Sequence, residues 1–232
     1  MEEVSAMYSQ AALTQNHVSS MQTASSCNLI RRWLVKFAVW LRSFRVQSRW
    51  VQATILFTDI TGFTATLAHL PRYRQQQVLA GLTGEYYRLL RQCVRDSGGR
   101  VDKFIGDGMM AVFDDPNHAV RAARRIQECV ARFNSQQKQC GEPAFPTRTA
   151  VSSGWVICQN LGRFGRRDQT YLGNAVNTAS HLTEIGQAGQ VLISRSTFDQ
   201  VAVTAEFNRW QPTDEDGKGD GIIAYELNDN VS

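Results

Sequence analysis

The sequence predicts an α+β fold: a ferredoxin-like βαββαβ core with its helices on one face, extended at the C-terminal end, and preceded by an N-terminal amphipathic helical extension. Three observations predict it. From residue 51 onward, short apolar runs of strand length alternate with longer segments of helical period. A Gly106-Asp107-Gly108 turn joins two apolar runs, a strong hairpin signal. The segments follow one another in the order β-α-β-β-α-β.

Taken along the chain, residues 1–28 are polar, rich in Ser, Gln and Thr, and read as a flexible tail. In residues 29–50, Ile30, Trp33, Leu34, Phe37, Leu41 and Phe44 fall at helical spacing with arginines between them, which predicts a basic amphipathic helix. Such a helix lies on a membrane surface or a partner, or it packs on its own domain or on a twin helix in a dimer. Both readings stay open. The catalytic or binding domain is then expected over residues 51–232. Ala53 to Phe57 reads as a strand ending at Asp59, and Tyr73 to Val94 as a helix with irregularity at Gly81 and Gly84. Ser97-Gly98-Gly99 stops that helix. Arg100–Ile105 and Met109–Phe113 form the hairpin, and His118–Phe133 is a helix with Pro116 near its start. Pro143 and Pro146 mark a loop. Thr147 to Leu161 predicts a second hairpin turning near Ser153-Gly154, Ala175–Ile185 a helix, and Gln190–Ser194 and Ile222–Leu227 two further strands.

With 232 residues, 43% hydrophobic and 20% charged, the chain has ordinary globular composition. That excludes wholesale disorder, collagen-like repeats and a disulfide-rich miniature. The net charge of +4 is unevenly placed: residues 1–50 hold six Lys/Arg against two acids, and the remainder holds nineteen of each sign. A neutral main domain argues against a nucleic-acid partner. Five cysteines without a CxxC pair argue against a disulfide framework and a zinc site. The polar first 28 residues show no secretory signal. Leu29 to Leu41, broken by Arg31, Arg32 and Lys36, is too short and too charged to span a bilayer. A cytoplasmic setting is expected, with peripheral membrane contact through residues 29–50 as an open addition.

Two carboxylates carry the chemistry. Asp59 follows a central strand, and Asp107 sits in the turn of the hairpin expected to pair with it. Two acids at one sheet edge, with no basic residue beside them in sequence, repel each other unless a cation lies between them. Oxygen ligands of this kind suit Mg²⁺ or Mn²⁺, which take one or two carboxylates together with substrate phosphates. Each residue alone has a plainer use, Asp59 as a cap and Asp107 as a turn residue. The pairing in one topology favours the metal. After Asp59 and Ile60, the small turn Thr61-Gly62-Phe63 leads into a helix and can aim backbone N–H groups at phosphate.

The segments FTDITGFT (57–64), RVDKFIGDGMMAVF (100–113) and YLGNAVNTASHL (171–182) resemble the catalytic domains of class III nucleotidyl cyclases, the adenylate and guanylate cyclases. The resemblance covers about residues 51–232 and rests on three specific motifs in order. It implies a homodimer or heterodimer with active sites at the interface. It implies two divalent ions on Asp59 and Asp107, with the Ile60 carbonyl as a further ligand. One ion would activate the ribose 3′-hydroxyl and the other would hold the triphosphate. The purine-reading pair corresponds to Lys103 and Thr170, resembling the adenine-selecting pattern of bacterial and soluble cyclases, some of them bicarbonate-responsive. Base choice would come from the partner chain. ATP is therefore the expected substrate, and cyclic AMP with pyrophosphate the product.

The transition-state pair corresponds to Asn177, which orients the ribose, and His181, where the family has arginine. Asn174 also departs from a common Asp. Arginine is always charged and offers a planar fork to phosphate; histidine at its ordinary pKa of roughly 6.5 does not. Arg163, Arg166 and Arg167 precede Thr170 in a loop that could reach the triphosphate. Two alternatives follow: a cyclase acting on GTP, CTP or UTP, or a weakly active or inactive regulatory module limited by His181.

Overall fold

The first strand, β1 (Gln47–Ile60), is rich in β-branched and aromatic residues, and both of its faces are buried along Ala53–Leu56. The structure is a computed structural model and describes residues 47–160, 169–211 and 222–228. Gln47–Trp50 already belong to β1, so they are strand and not the end of the helix expected over 29–50. The rest of that helix, the tail before it and the loop arginines at 163, 166 and 167 lie outside the described residues. Among the described residues no helix is long and apolar enough to cross a membrane.

After β1 come a short helix α1 (Phe63–Ala68) and α2 (Arg72–Gly81). A π-turn (Leu82–Tyr86) leads directly into α3 (Tyr87–Asp96). The irregularity expected at Gly81 and Gly84 is this widened turn. β2 (Arg100–Ile105) and β3 (Gly108–Phe113) form the hairpin. α4 (Pro116–Gln139) starts with Pro116 in its first turn, and the Asp115 carboxylate accepts from the Asn117 N–H. β4 (Thr147–Asn160), β5 (Gln169–Leu172), α5 (Asn174–Ile185), β6 (Val191–Ser194), α6 (Arg195–Phe198), β7 (Phe207–Trp210) and β8 (Ala224–Leu227) complete the chain.

The eight strands form one sheet in the order β2-β3-β1-β4-β6-β8-β7, with β5 paired to β4 off this path. The first four strands in the order β2-β3-β1-β4 are the ferredoxin-like core. Alternation along β1 and β3 separates two apolar layers. Leu56, Ile60, Met109, Ala111 and Phe113 meet α2, α3 and α4 on one face. Ala53, Ile55, Met110 and Val112 face Ala175 and Ala179 of α5 on the other. α5 therefore covers the second face, so the helices are not all on one side as the segment order suggests.

The expected hairpin over 147–161 is also corrected. β4 runs unbroken through Ser153 and Gly154. The Ser153 hydroxyl is buried and bonds to Thr54 (2.9 Å) and Thr197 (3.0 Å). A Cβ on Gly154 would stand 3.4 Å from the Ala175 Cβ. This glycine serves close helix–strand approach, not a turn. β4 pairs instead with β5, Cys158 opposite Tyr171.

Candidate active site

Asp59 is the penultimate residue of β1, and Asp107 occupies the β2–β3 turn. The antiparallel register sets Thr58 opposite Met109 and so draws the turn to the end of β1. Gly108 permits that approach. A Cβ there would lie 2.6 Å from the Thr58 carbonyl oxygen and 3.5 Å from Asp59 Oδ1.

The two acids are not without a basic neighbour. Arg148, near the start of β4, donates to Asp59 Oδ2 from Nη2 at 2.7 Å and from Nε at 3.2 Å. Its Nη1 donates to the carbonyls of Glu184 (2.6 Å) and Gly186 (3.3 Å) at the C-terminal end of α5. One guanidinium thus joins β1, β4 and the carbonyl end of a helix, where positive charge is favoured. Asp107 is pushed above the ordinary carboxylate range, first by partial burial and then by the Asp59 carboxylate. The backbone N–H groups of Asp107 and Ile60, and Arg148, pull in the opposite direction.

The donor set fits a hard divalent cation. Two carboxylates converge there, and the hydroxyls of Thr58 and Thr61, on either side of Asp59 and Ile60, are buried without a hydrogen-bond partner. Among the described residues there is no cluster of three His, Cys, Asp or Glu that would make a closed all-protein site. Mg²⁺ and Mn²⁺ complete their shells with water and phosphate oxygens, so two acids suffice.

The turn after Asp59 is more restricted than its sequence suggests. The Thr61 N–H is already bonded to the Pro146 carbonyl at 2.7 Å. Gly62 adopts a left-handed conformation (φ 72°) as the N-cap of α1. The Phe63 ring is buried and meets Phe145 edge-on at 6.1 Å. The Thr61 N–H and the Phe63 side chain are therefore committed within the fold, and the backbone of Gly62 and Phe63 is left to offer donors to a phosphate.

Lys103 owes its direction to a β-bulge. Arg100 and Val101 pair with Val112 and Ala111, but Lys103 pairs with Met110, so Asp102 is the extra residue. Without the bulge, Lys103 would point to the opposite face from Arg100. With it, both share the face of Met110 and Val112. On that face Arg100 hydrogen-bonds the Tyr171 hydroxyl and stands over its ring at 5.5 Å. The Lys103 ammonium pairs with Asp102 at 3.2 Å. Thr170 stands opposite Gln159, next to Tyr171 and on the other side of the β4–β5 ribbon. The structure therefore ties β2 to β5 through Arg100 and Tyr171.

Asn177 lies on α5 and, with Asp59, Phe57, Ile105 and Gly108, lines a cavity of about 330 Å³. His181 follows one turn later, its Nδ1 4.0 Å from the Glu184 carboxylate. Arg148, the residue that holds Asp59, is not singled out by the sequence. Its signal is a single charge inside the otherwise apolar and hydroxylic run from Phe145 to Val151.

Compared with known proteins, residues 46–228 match the family model for the adenylate and guanylate cyclase catalytic domain. Adenylate cyclase 1 of Rhizobium meliloti (strain 1021) is 27% identical over 204 residues, covering 84% of this chain and 30% of that protein. The crystal structure of the adenylyl cyclase CyaB from P. aeruginosa superposes with a TM-score of 0.65 at 24% identity, over 80% of this chain and 98% of that one. The guanylyl cyclase Cya2 superposes with a TM-score of 0.63 at 23% identity, over 78% of this chain and 93% of that one. The structural likeness shows the fold, which adenylyl and guanylyl cyclases share. The chain spans roughly a third or less of the length of the curated relatives it matches.

Proposed function

The chain belongs to the adenylate and guanylate cyclase catalytic domain family, and from that premise we propose that it is an adenylate cyclase, converting ATP to 3′,5′-cyclic AMP and pyrophosphate in a homodimer. The observation that carries this reading is the convergence of Asp59, Asp107 and Arg148 at one sheet edge, beside the cavity that Asn177 lines. Asp59, Asp107 and the Ile60 carbonyl would hold two Mg²⁺ or Mn²⁺ ions. When bound, these ions supply activation of the ribose 3′-hydroxyl and charge neutralisation along the triphosphate. The 3′-hydroxyl would give up its proton to solvent as its oxygen attacks the α-phosphorus, the bond from that phosphorus to the oxygen bridging to the β-phosphate would break, and pyrophosphate would leave.

The chain's own residues position and stabilise. Arg148 holds the Asp59 carboxylate through two donors and so sets the direction in which it would meet a cation. Gly62 and Phe63 offer backbone N–H groups to the triphosphate. Asn177 would hydrogen-bond the ribose, and His181 would stand at the transition-state phosphate. Lys103 donates to a ring acceptor of the purine, and the Thr170 hydroxyl serves the exocyclic amine. Both would be supplied by the partner chain, so the base pocket is completed by a second copy. Exposed Trp155 and Leu172 on the β4–β5 ribbon, and exposed Ile105 at the hairpin tip, are apolar surface for such a copy.

The test is a product assay on purified protein with ATP, GTP, CTP and UTP separately, in Mg²⁺ and in Mn²⁺. Cyclic AMP formed in preference to the other products supports the reading. Another cyclic nucleotide keeps the cation site and overturns the base assignment. No product from a folded dimer overturns the activity. One observation favours a weaker enzyme or regulatory module as a second reading: the residue at the arginine position is a histidine drawn toward Glu184.

A further inference from the structure

Tyr86 and Tyr87 are adjacent, but only Tyr87 reaches the turn that carries Asp107. Tyr86 is fully buried, and its hydroxyl meets Thr147 Oγ1 at 2.6 Å in the core. Tyr87 begins α3 immediately after the π-turn, an insertion that often marks functional sites. Its ring stacks on Phe104 of β2, centroids 3.9 Å apart and planes 18° from parallel. The Arg91 guanidinium lies over the same Phe104 at 4.8 Å. The Tyr87 hydroxyl donates to the carbonyl of Gly106. Gly106 has φ 60° and is the first residue of the turn that presents Asp107. The turn is otherwise held by the strand register and the close fit of Gly108 against Thr58.

We propose that Tyr87 is a positioning residue for the divalent-cation site: its hydroxyl fixes the Gly106 peptide, and so the direction in which the next residue, Asp107, offers its carboxylate. This rests on the reading of Asp59 and Asp107 as the cation ligands. Two glycines flank Asp107, so the turn has little stiffness of its own. A hydrogen bond to the peptide before Asp107 limits rotation of that residue's backbone. The stacked ring holds the hydroxyl at a fixed height over β2. Tyr87 touches neither cation nor nucleotide in this arrangement; it acts through the turn. Groups that orient a ligand from outside the coordination shell typically change metal affinity by about 10- to 100-fold when removed.

The experiment titrates Mn²⁺ alone into the full chain and reads free Mn²⁺ by electron paramagnetic resonance, for wild type, Tyr87→Phe, Tyr87→Leu and Asp59→Asn. Tyr87→Phe keeps the ring and removes only the hydroxyl. The expected result is an approximately tenfold weaker Kd for Tyr87→Phe, with Tm unchanged. In turnover, the Mn²⁺ concentration for half-maximal rate should rise in parallel, while kcat at saturating Mn²⁺ stays at the wild-type value. Wild-type Mn²⁺ affinity in Tyr87→Phe, while Asp59→Asn loses binding, overturns the role of Tyr87 and leaves the cation site standing. Wild-type affinity in Tyr87→Phe with weak binding in Tyr87→Leu assigns the effect to the ring and also overturns the proposal. Unchanged affinity in Asp59→Asn overturns the cation site itself.

Discussion

In the metal-free chain, Asp107 carries a charge cost that its backbone partners and Arg148 offset only in part. Burial and Asp59 raise its pKa in the folded chain, so the native state holds the Asp107 proton more readily than the unfolded chain does. The stability tied to that proton is present below the unfolded carboxylate pKa and is lost as pH rises through the higher folded value. Metal-free Asp107→Asn should therefore melt about 1–3 °C above wild type at neutral pH, a modest gain because the side chain is half exposed. The gain should vanish in acid, and melting curves across pH check it. The same substitution, like Asp59→Asn, should lower divalent-dependent turnover by about 10³-fold or more while the far-ultraviolet circular dichroism stays native. Wild-type turnover in either variant would remove that residue from the cation site. At position 181 the direction is opposite. Arginine would bring a permanently charged fork where histidine now leans toward Glu184. His181→Arg should raise kcat by about 10²-fold with little change in KM, and no rise in a metal-competent dimer would make His181 incidental.

Among the elements, the β2–β3 hairpin does most to build the site, and most of it is legible in the sequence. Gly106-Asp107-Gly108 between two apolar runs gives the turn, the strands and the acid at their junction. What is not legible there is the bulge at Asp102, because a bulge depends on the register with β3 and not on any local residue preference. It decides which face Lys103 occupies. Gly108→Ala tests the hairpin's fit to β1. The added methyl meets a backbone oxygen at 2.6 Å, which cannot yield without opening the Thr58–Met109 pairing. A loss of about 1–3 kcal/mol in denaturant unfolding is expected, together with weaker Mn²⁺ binding. Ser153-Gly154 reads as a turn but lies inside β4, because its glycine answers to Ala175 on a distant helix. Arg148 meets an acid 89 positions away, a partner no local pattern reveals. The face covered by α5 is unreadable for the same reason, since segment order does not state which side of the sheet a helix takes. The base-reading strands β2 and β5 offer a separate check. Lys103→Glu with Thr170→Cys replaces a donor by an acceptor on the purine edge. Competition assays should show ATP preference lost or turned toward GTP, and unchanged selectivity would release both residues from base recognition.

For the whole molecule, the account needs two copies. Lys103 lies on β2, Asp107 in the turn that follows it, and Thr170 on the β4–β5 ribbon. Trp155 and Leu172 on that ribbon and Ile105 at the hairpin tip are exposed. If one protomer holds the cations and its partner reads the base, two defective chains can repair each other. The most direct measurement is cyclic AMP output from Asp59→Asn and Lys103→Glu, each alone and after subunit exchange at equal concentration. Each variant alone should be nearly silent. Random pairing makes half the dimers mixed, each with one intact site of two, so the mixture should recover roughly a quarter of wild-type activity. Output from the exchanged mixture no greater than the mean of the two variants alone would contradict a shared active site, and with it the central claim.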